Sequence, residues 1–176
     1  LAIQYRTLDE GQIREAENRD ISLLADIIRR AYRDVAVRFG LTSENCQKHP
    51  SNCDEGWIEK DLERGVVYYI LECGTTPIGC VALEKTGSAV CYLERLAVLP
   101  AYRRNGFGRM LVEHIYDRAK TLKFATISIG IISEQTELKS WYRNAGFIEG
   151  ETKEFSHLPF LVTFMTRALS LHSNSA

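Results

Sequence analysis

Apolar residues change their period several times along the chain. Ile21, Leu24, Ile28, Ala31 and Tyr32 recur at spacings of three and four behind Asp20, a natural N-cap, which predicts an amphipathic helix over about 20–32. A short strand over 13–16 precedes it, and 39–53 breaks the pattern and reads as a long loop. Trp57, Ile58 and Leu62 share one side of a second, short helix that Gly65 ends. The pattern then turns β-branched and aromatic. Strands over 66–71, 78–83 and 89–99 are separated by turns at 74–77 and 86–88, and Pro100 closes the run. These three strands predict an antiparallel meander. Leu111, Ile115, Ala119 and Leu122 mark a helix over about 108–122, followed by a continuously apolar strand over 125–132 of the kind buried on both faces. Strand 89–99, helix and strand 125–132 form a βαβ crossover, so those two strands should run parallel with a right-handed connection. Leu138, Trp141, Tyr142 and Ala145 share a face of a helix over about 135–145 that Gly146 caps, and strands over 147–153 and 160–168 finish the pattern. The fold class is α/β with one mixed sheet.

Composition narrows this picture. At 176 residues, 45% hydrophobic and 26% charged, the chain fits one globular domain, placed over 1–169, with a small polar tail over 170–176 expected to be disordered. A chain this long buries roughly 70% of its unfolded surface and needs neither disulfides nor metal to fold. The net charge of −1 gives no bulk attraction to nucleic acid or to an anionic membrane. The five cysteines (Cys46, Cys53, Cys73, Cys80 and Cys91) are odd in number and irregularly spaced, unlike a secreted disulfide framework. No apolar run approaches the ~18 residues of a membrane span, and no secretory leader is recognisable, so a cytoplasmic location is expected. The first residue is Leu1, which leaves open whether others precede it.

The stretch between strand 89–99 and the following helix carries the chemistry. Gly106 and Gly108 allow main chain to approach a ligand closely. Unpaired N–H groups and the positive end of the helix dipole lie immediately after them. Arg103, Arg104 and Arg109 surround the same point. This is a site for a phosphate-bearing ligand, with a diphosphate favoured. A Walker loop is absent because Arg109 and Met110 follow Gly108, which argues against ATP or GTP. A dinucleotide fingerprint would need glycine or alanine where Leu111 stands, so nicotinamide binding is a weak alternative.

Arg103-x-x-Gly106-x-Gly108, preceded by Leu96-Ala97-Val98, resembles motif A of the GNAT superfamily of acyl-CoA-dependent N-acetyltransferases. Trp141-Tyr142-x-x-x-Gly146-Phe147 resembles that family's later motif, at the right distance and in the right order of elements. The resemblance covers roughly 11–168. It implies a GNAT fold: a mixed sheet of about six to seven strands with a splayed parallel pair, flanked by about four helices. It also implies acetyl-CoA as co-substrate. The CoA diphosphate would rest on the backbone from Arg104 through Asn105, Gly106, Phe107 and Gly108 to Arg109, with Arg103 beside it. The pantetheine arm would pair with the edge of Leu96, Ala97 and Val98 as an added strand. Gln135 stands where the family often has an asparagine, and a cofactor contact is expected there.

Tyr142 matches the family tyrosine that protonates the departing thiolate, although its place on the apolar stripe alone would suit a core aromatic. Glu94 is the first candidate for the base that deprotonates the amine, because it has the strand parity of Leu96 and Val98; an ion pair with a neighbouring arginine is the competing reading. Glu84 and His157 are further candidates. The 39–53 loop falls where the family binds its variable acceptor. Asn45, Cys46, His49 and Cys53 raise acceptor contact and, more remotely, zinc, but only three metal ligands are local and no metal is expected. The implied reaction is direct attack of an amine, of a small molecule or a peptide, on acetyl-CoA in a ternary complex. A non-catalytic acyl-CoA-binding sensor is the alternative. Neither nucleic acid nor membrane is expected as a partner, and the family's habits bring a homodimer into view.

Overall fold

The computed structural model describes residues 11–169. The reading of 170–176 as a disordered tail lies outside the described residues. Strand β1 (Gly11–Glu15) leads into helix α1 (Ile21–Ala31) and, across the single non-helical residue Tyr32, helix α2 (Arg33–Arg38). Helix α3 (Glu55–Glu63) follows the long loop, then strands β2 (Val67–Cys73), β3 (Thr76–Lys85) and β4 (Val90–Val98). Helix α4 (Phe107–Thr121), strand β5 (Thr126–Ile132), helix α5 (Thr136–Asn144) and strands β6 (Ile148–Lys153) and β7 (Val162–Ala168) complete the chain. The expected four helices therefore take five segments, because α2 was not visible in the pattern. Val37 and Arg38 on it are both exposed, so it lacks a strong buried stripe of its own.

The seven strands form one sheet in the order β1-β2-β3-β4-β5-β7-β6, with β7 inserted between β5 and β6. Alternation along each strand feeds two cores. Leu71, Val81, Leu83, Leu93 and Ile127 face α4 and α5, where Leu111 and Ile115 are fully buried. Tyr68, Ile70, Cys80 and Ala82 face α1 and α3, where Leu24, Ile28 and Ile58 are fully buried. Asp20 fastens the start of α1. It accepts from the Glu17 amide at 2.9 Å and pairs with Arg14 at 2.7 Å, which lowers its carboxyl to about pKa 2.

Two irregularities shape the middle of the sheet. β4 and β5 run parallel but pair only from Val90↔Thr126 to Tyr92↔Ser128. Beyond that point β4 stays with β3 and β5 stays with β7, so a gap opens between them. At the same level β4 carries one extra residue against β3: Ala82 faces Glu94, yet Cys80 faces Ala97. Arg95 takes the left-handed backbone (φ 53°) that this bulge needs. Past the bulge Gly79 pairs with Val98, and a Cβ there would come within 2.6 Å of the Ala97 carbonyl oxygen. The bulge corrects the parity assigned to Glu94. Glu94 and Ala97 share the α1/α3 face, whereas Leu96 and Val98 pack toward α4.

Candidate active site

The gap between β4 and β5 is the floor of a cleft of about 750 Å³. Glu94, Leu96, Ala97, Val98, Arg103, Arg104, Gly106, Gly108, Arg109, Gln135 and Tyr142 all line it. Asn105 and Phe107 belong to the same loop, but their side chains are engaged elsewhere. The Asn105 amide donates to the Tyr102 and Arg103 carbonyls at 3.1 and 3.0 Å, and the Phe107 ring is buried in the core beneath.

One end is built from backbone. Arg104 (φ 64°) and Gly106 (φ 83°) both turn through the left-handed region, and at Gly106 this conformation is free of the Cβ penalty. The first amide to close on the helix is Met110 N–H, on the Gly106 carbonyl at 3.0 Å. The amides of Phe107, Gly108 and Arg109 therefore have no partner within the helix and sit at its positive end. Gly108 lies against the Trp141 indole, which a Cβ would approach to 3.4 Å. Arg104 and Arg109 are exposed and make no hydrogen bond or ion pair among the described residues. Arg103 differs. Its guanidinium binds Asp34 at 2.5 Å and the Ala31 carbonyl at 2.5 Å, and its Nε binds the Val98 carbonyl at 3.0 Å. Its side chain ties β4 to α1 and α2, so the free cations beside the helix terminus are Arg104 and Arg109.

The open edge of β4 continues from this end. A strand residue turns its N–H and C=O to the same side. Leu99 N–H reaches β3 through the Ile78 carbonyl at 2.8 Å, so the groups of Leu96 and Val98 face the gap and those of Ala97 face β3. Both gap-facing carbonyls are occupied: the Tyr32 hydroxyl donates to Leu96 at 3.0 Å, and Arg103 donates to Val98. The N–H groups of Leu96 and Val98 remain as donors along the gap.

The other end is built from side chains. The Tyr142 ring is 6% exposed and packs edge-on against Trp141 and Phe147, with ring centroids 4.9 and 5.3 Å apart. Its hydroxyl makes no hydrogen bond among the described residues. Burial, with Tyr32 and Glu94 nearby, holds its proton well above the ordinary tyrosine range. The Glu94 carboxyl is half-buried and likewise has no hydrogen bond or ion pair among the described residues. Burial raises its pKa above the usual carboxylate range, against the opposing pull of Arg95. The ion pair considered for Glu94 is not formed, because the Arg95 guanidinium lies 5.5 Å from the Trp57 ring centroid instead.

Of the other candidates, Glu84 is taken by Arg64 at 2.6 Å, and His157 is an exposed loop residue near Phe155; neither lines the cleft. Of the candidates in the long loop, His49, with Pro50 beside it, lines the cleft. It is 5% exposed, packs edge-on to Tyr32 and is lowered by burial to about pKa 4, so it is neutral near pH 7. Asn45 bonds within its own turn, and Cys46 and Cys53 are buried. No group of three His, Cys, Asp or Glu residues among the described residues is arranged to hold a metal ion. No helix among them is long and apolar enough to cross a membrane. Tyr32, Arg38, Arg95 and Phe160 also line the cleft, and the sequence reading assigned them no role there.

The model of the acetyltransferase (GNAT) family matches residues 24–147, an interval that contains the phosphate-type loop and Tyr142. The chain belongs to the GNAT family. An uncharacterized N-acetyltransferase of Bacillus subtilis (strain 168), YvbK, is 31% identical over 90 residues, which span 51% of this chain and 57% of that one. Among solved structures, the PaiA N-acetyltransferase of Thermoplasma acidophilum in complex with coenzyme A superposes with a TM-score of 0.74 at 17% identity, covering 90% of this chain and 99% of that one. The ribosomal-protein-alanine N-acetyltransferase of Brucella melitensis superposes with a TM-score of 0.67 at 20% identity, covering 90% and 99%. These likenesses establish the GNAT fold with its splayed parallel pair.

Proposed function

We propose that this GNAT chain is an acetyl-CoA-dependent N-acetyltransferase that works by direct attack in a ternary complex. The observation that carries this reading is continuity. One cleft runs from the unpaired amides at the start of α4, along the donor edge of Leu96 and Val98, to an unpaired carboxyl and an unpaired phenol. A diphosphate suits the first element, with Arg104 and Arg109 as counter-charges. An amide-bearing arm suits the second. The pair of proton-handling groups suits the third. Coenzyme A bound to the Thermoplasma neighbour lends support.

In this mechanism Glu94 takes a proton from the acceptor ammonium, leaving a free amine. The nitrogen attacks the thioester carbonyl, a C–N bond forms, and the C–S bond then breaks. The departing thiolate takes a proton from Tyr142, whose buried phenol stays protonated near pH 7. The attacking nitrogen sheds its second proton to water as the amide forms, water returns a proton to the phenol, and the proton taken by Glu94 passes to solvent; the net result is an amide, free CoA and one released proton. Proton transfers of this kind contribute about 10²–10⁴-fold each. Replacing Tyr142 by Phe should lower amine-dependent CoA release by about 10²–10³-fold while the acetyl-CoA dissociation constant stays within about twofold. Undiminished turnover would remove Tyr142 from the mechanism. Tight acetyl-CoA binding with no turnover of any amine by the unmodified protein would favour the sensor reading.

A further inference from the structure

The amine-binding end of the cleft has an unusual charge balance. Its wall is made by α2, His49 and Phe160, and Val35, Phe39 and Phe160 pack together over the small core of Ala36, Leu41 and Ile132. Arg38 projects from α2 into this wall. Its guanidinium lies 5.3 Å from the ring centroid of Phe39 and has no carboxylate within ion-pair distance among the described residues. Asp34, one turn earlier and also at the cleft, is already neutralised by Arg103. Asp61, near Arg95, is taken by Arg64 and by the Tyr68 hydroxyl at 2.6 Å. His49 is neutral. Its Nδ1 accepts from the Ser51 amide at 3.3 Å, so its proton sits on Nε2, an uncharged donor.

Around α2 and the bulge the cleft therefore offers two cations, Arg38 and the half-buried Arg95, against the carboxyl of Glu94; Glu137, exposed at the start of α5, is the remaining lining carboxyl without an ion pair among the described residues. A polyamine or a lysine-rich peptide brings several positive charges to a wall that already carries two guanidinium groups. An acceptor with one ammonium and one carboxylate matches the wall at both ends, with the amine at Glu94 and the anion at the guanidinium left without a partner.

We propose that the preferred acceptor is a small amine that also carries a carboxylate, and that Arg38 binds this carboxylate. The inference rests on the transferase reading given above and names the substrate class of that same site. Arg38 is a specificity residue, and the fold does not depend on it, since its side chain is exposed.

The test compares three matched acceptors: an L-amino acid, its amide and its decarboxylated amine. The amide is intrinsically the easiest of the three to deprotonate, so preference for the acid would have to come from the protein. The proposal expects kcat/KM for the acid to exceed that of each partner by about tenfold or more. Arg38→Gln should lower the acid's kcat/KM by about tenfold and bring the three acceptors to within about twofold of one another, and Arg38→Lys should restore part of the preference. Acetyl-CoA affinity reports that the variants are folded. Equilibrium binding of the same three compounds to the CoA-loaded protein is measured in parallel and should show the same ranking and the same loss. Equal treatment of the three, preference for the amide or for spermidine, or an unchanged ranking in Arg38→Gln overturns the proposal. Absence of turnover with every amine overturns the transferase reading, and the binding series still decides the role of Arg38.

Discussion

The two ends of the cleft are made by different means. The end at α4 is a contiguous stretch of backbone, shaped by left-handed turns at Arg104 and Gly106 and by the unpaired amides of a helix. The opposite end is assembled from side chains distant in sequence: Tyr32 from the break between α1 and α2, Arg38 from α2, His49 from the long loop, Glu94 and Arg95 from a bulge, and Tyr142 from α5. A backbone site tolerates changes of side chain and serves one invariant ligand. A side-chain site can be respecified residue by residue, which suits an acceptor that differs between relatives.

Substitutions at each end should separate these roles. The largest effect after loss of Tyr142 is expected at Glu94. Glu94→Gln should lower kcat by about 10²-fold with little change in acetyl-CoA affinity. The unmodified protein must have this carboxyl ionised to act as base, so kcat/KM should rise with pH through the raised pKa of Glu94 and fall on acidification. The glutamine variant should lose that limb of the profile, and a profile that keeps it would assign the base elsewhere. At the other end, Arg104→Ala combined with Arg109→Ala should weaken acetyl-CoA binding by about tenfold at low salt and by less at high salt, since both cations are exposed and screened. Calorimetric titration at two salt concentrations reads both effects. Arg103→Ala sharpens the contrast within one loop. Because its guanidinium is spent on Asp34 and two carbonyls, the expected loss is about 1–3 kcal/mol of folding stability in urea. A pure affinity loss with unchanged stability would return Arg103 to the phosphate site.

The division explains what was legible in the chain. Strand and helix periods, the parallel crossover and the Gly106/Gly108 loop are local patterns, and each reappears in the structure. The end at α4 could be written down because its parts are neighbours in sequence. The bulge at Arg95 could not, because a left-handed arginine inside an otherwise regular strand leaves no signature in the alternation of residues. It moved Glu94 to the face opposite Leu96 and Val98. The tie between Arg103 and Asp34 bridges 69 positions, so the brace that Arg103 makes between β4 and the first helices could not be read from its loop. Tyr32 reads as one more member of an apolar stripe, and only the folded chain brings its hydroxyl to the Leu96 carbonyl. α2 stayed hidden because most of its residues are exposed.

The structure of the chain bound to acetyl-CoA tests the central claim most directly. The account predicts the diphosphate within hydrogen-bond distance of backbone amides between Arg104 and Arg109, pantetheine carbonyls on the N–H groups of Leu96 and Val98, and the sulfur beside Tyr142. A thioester bound away from the start of α4, or no binding at saturating concentration, would contradict it.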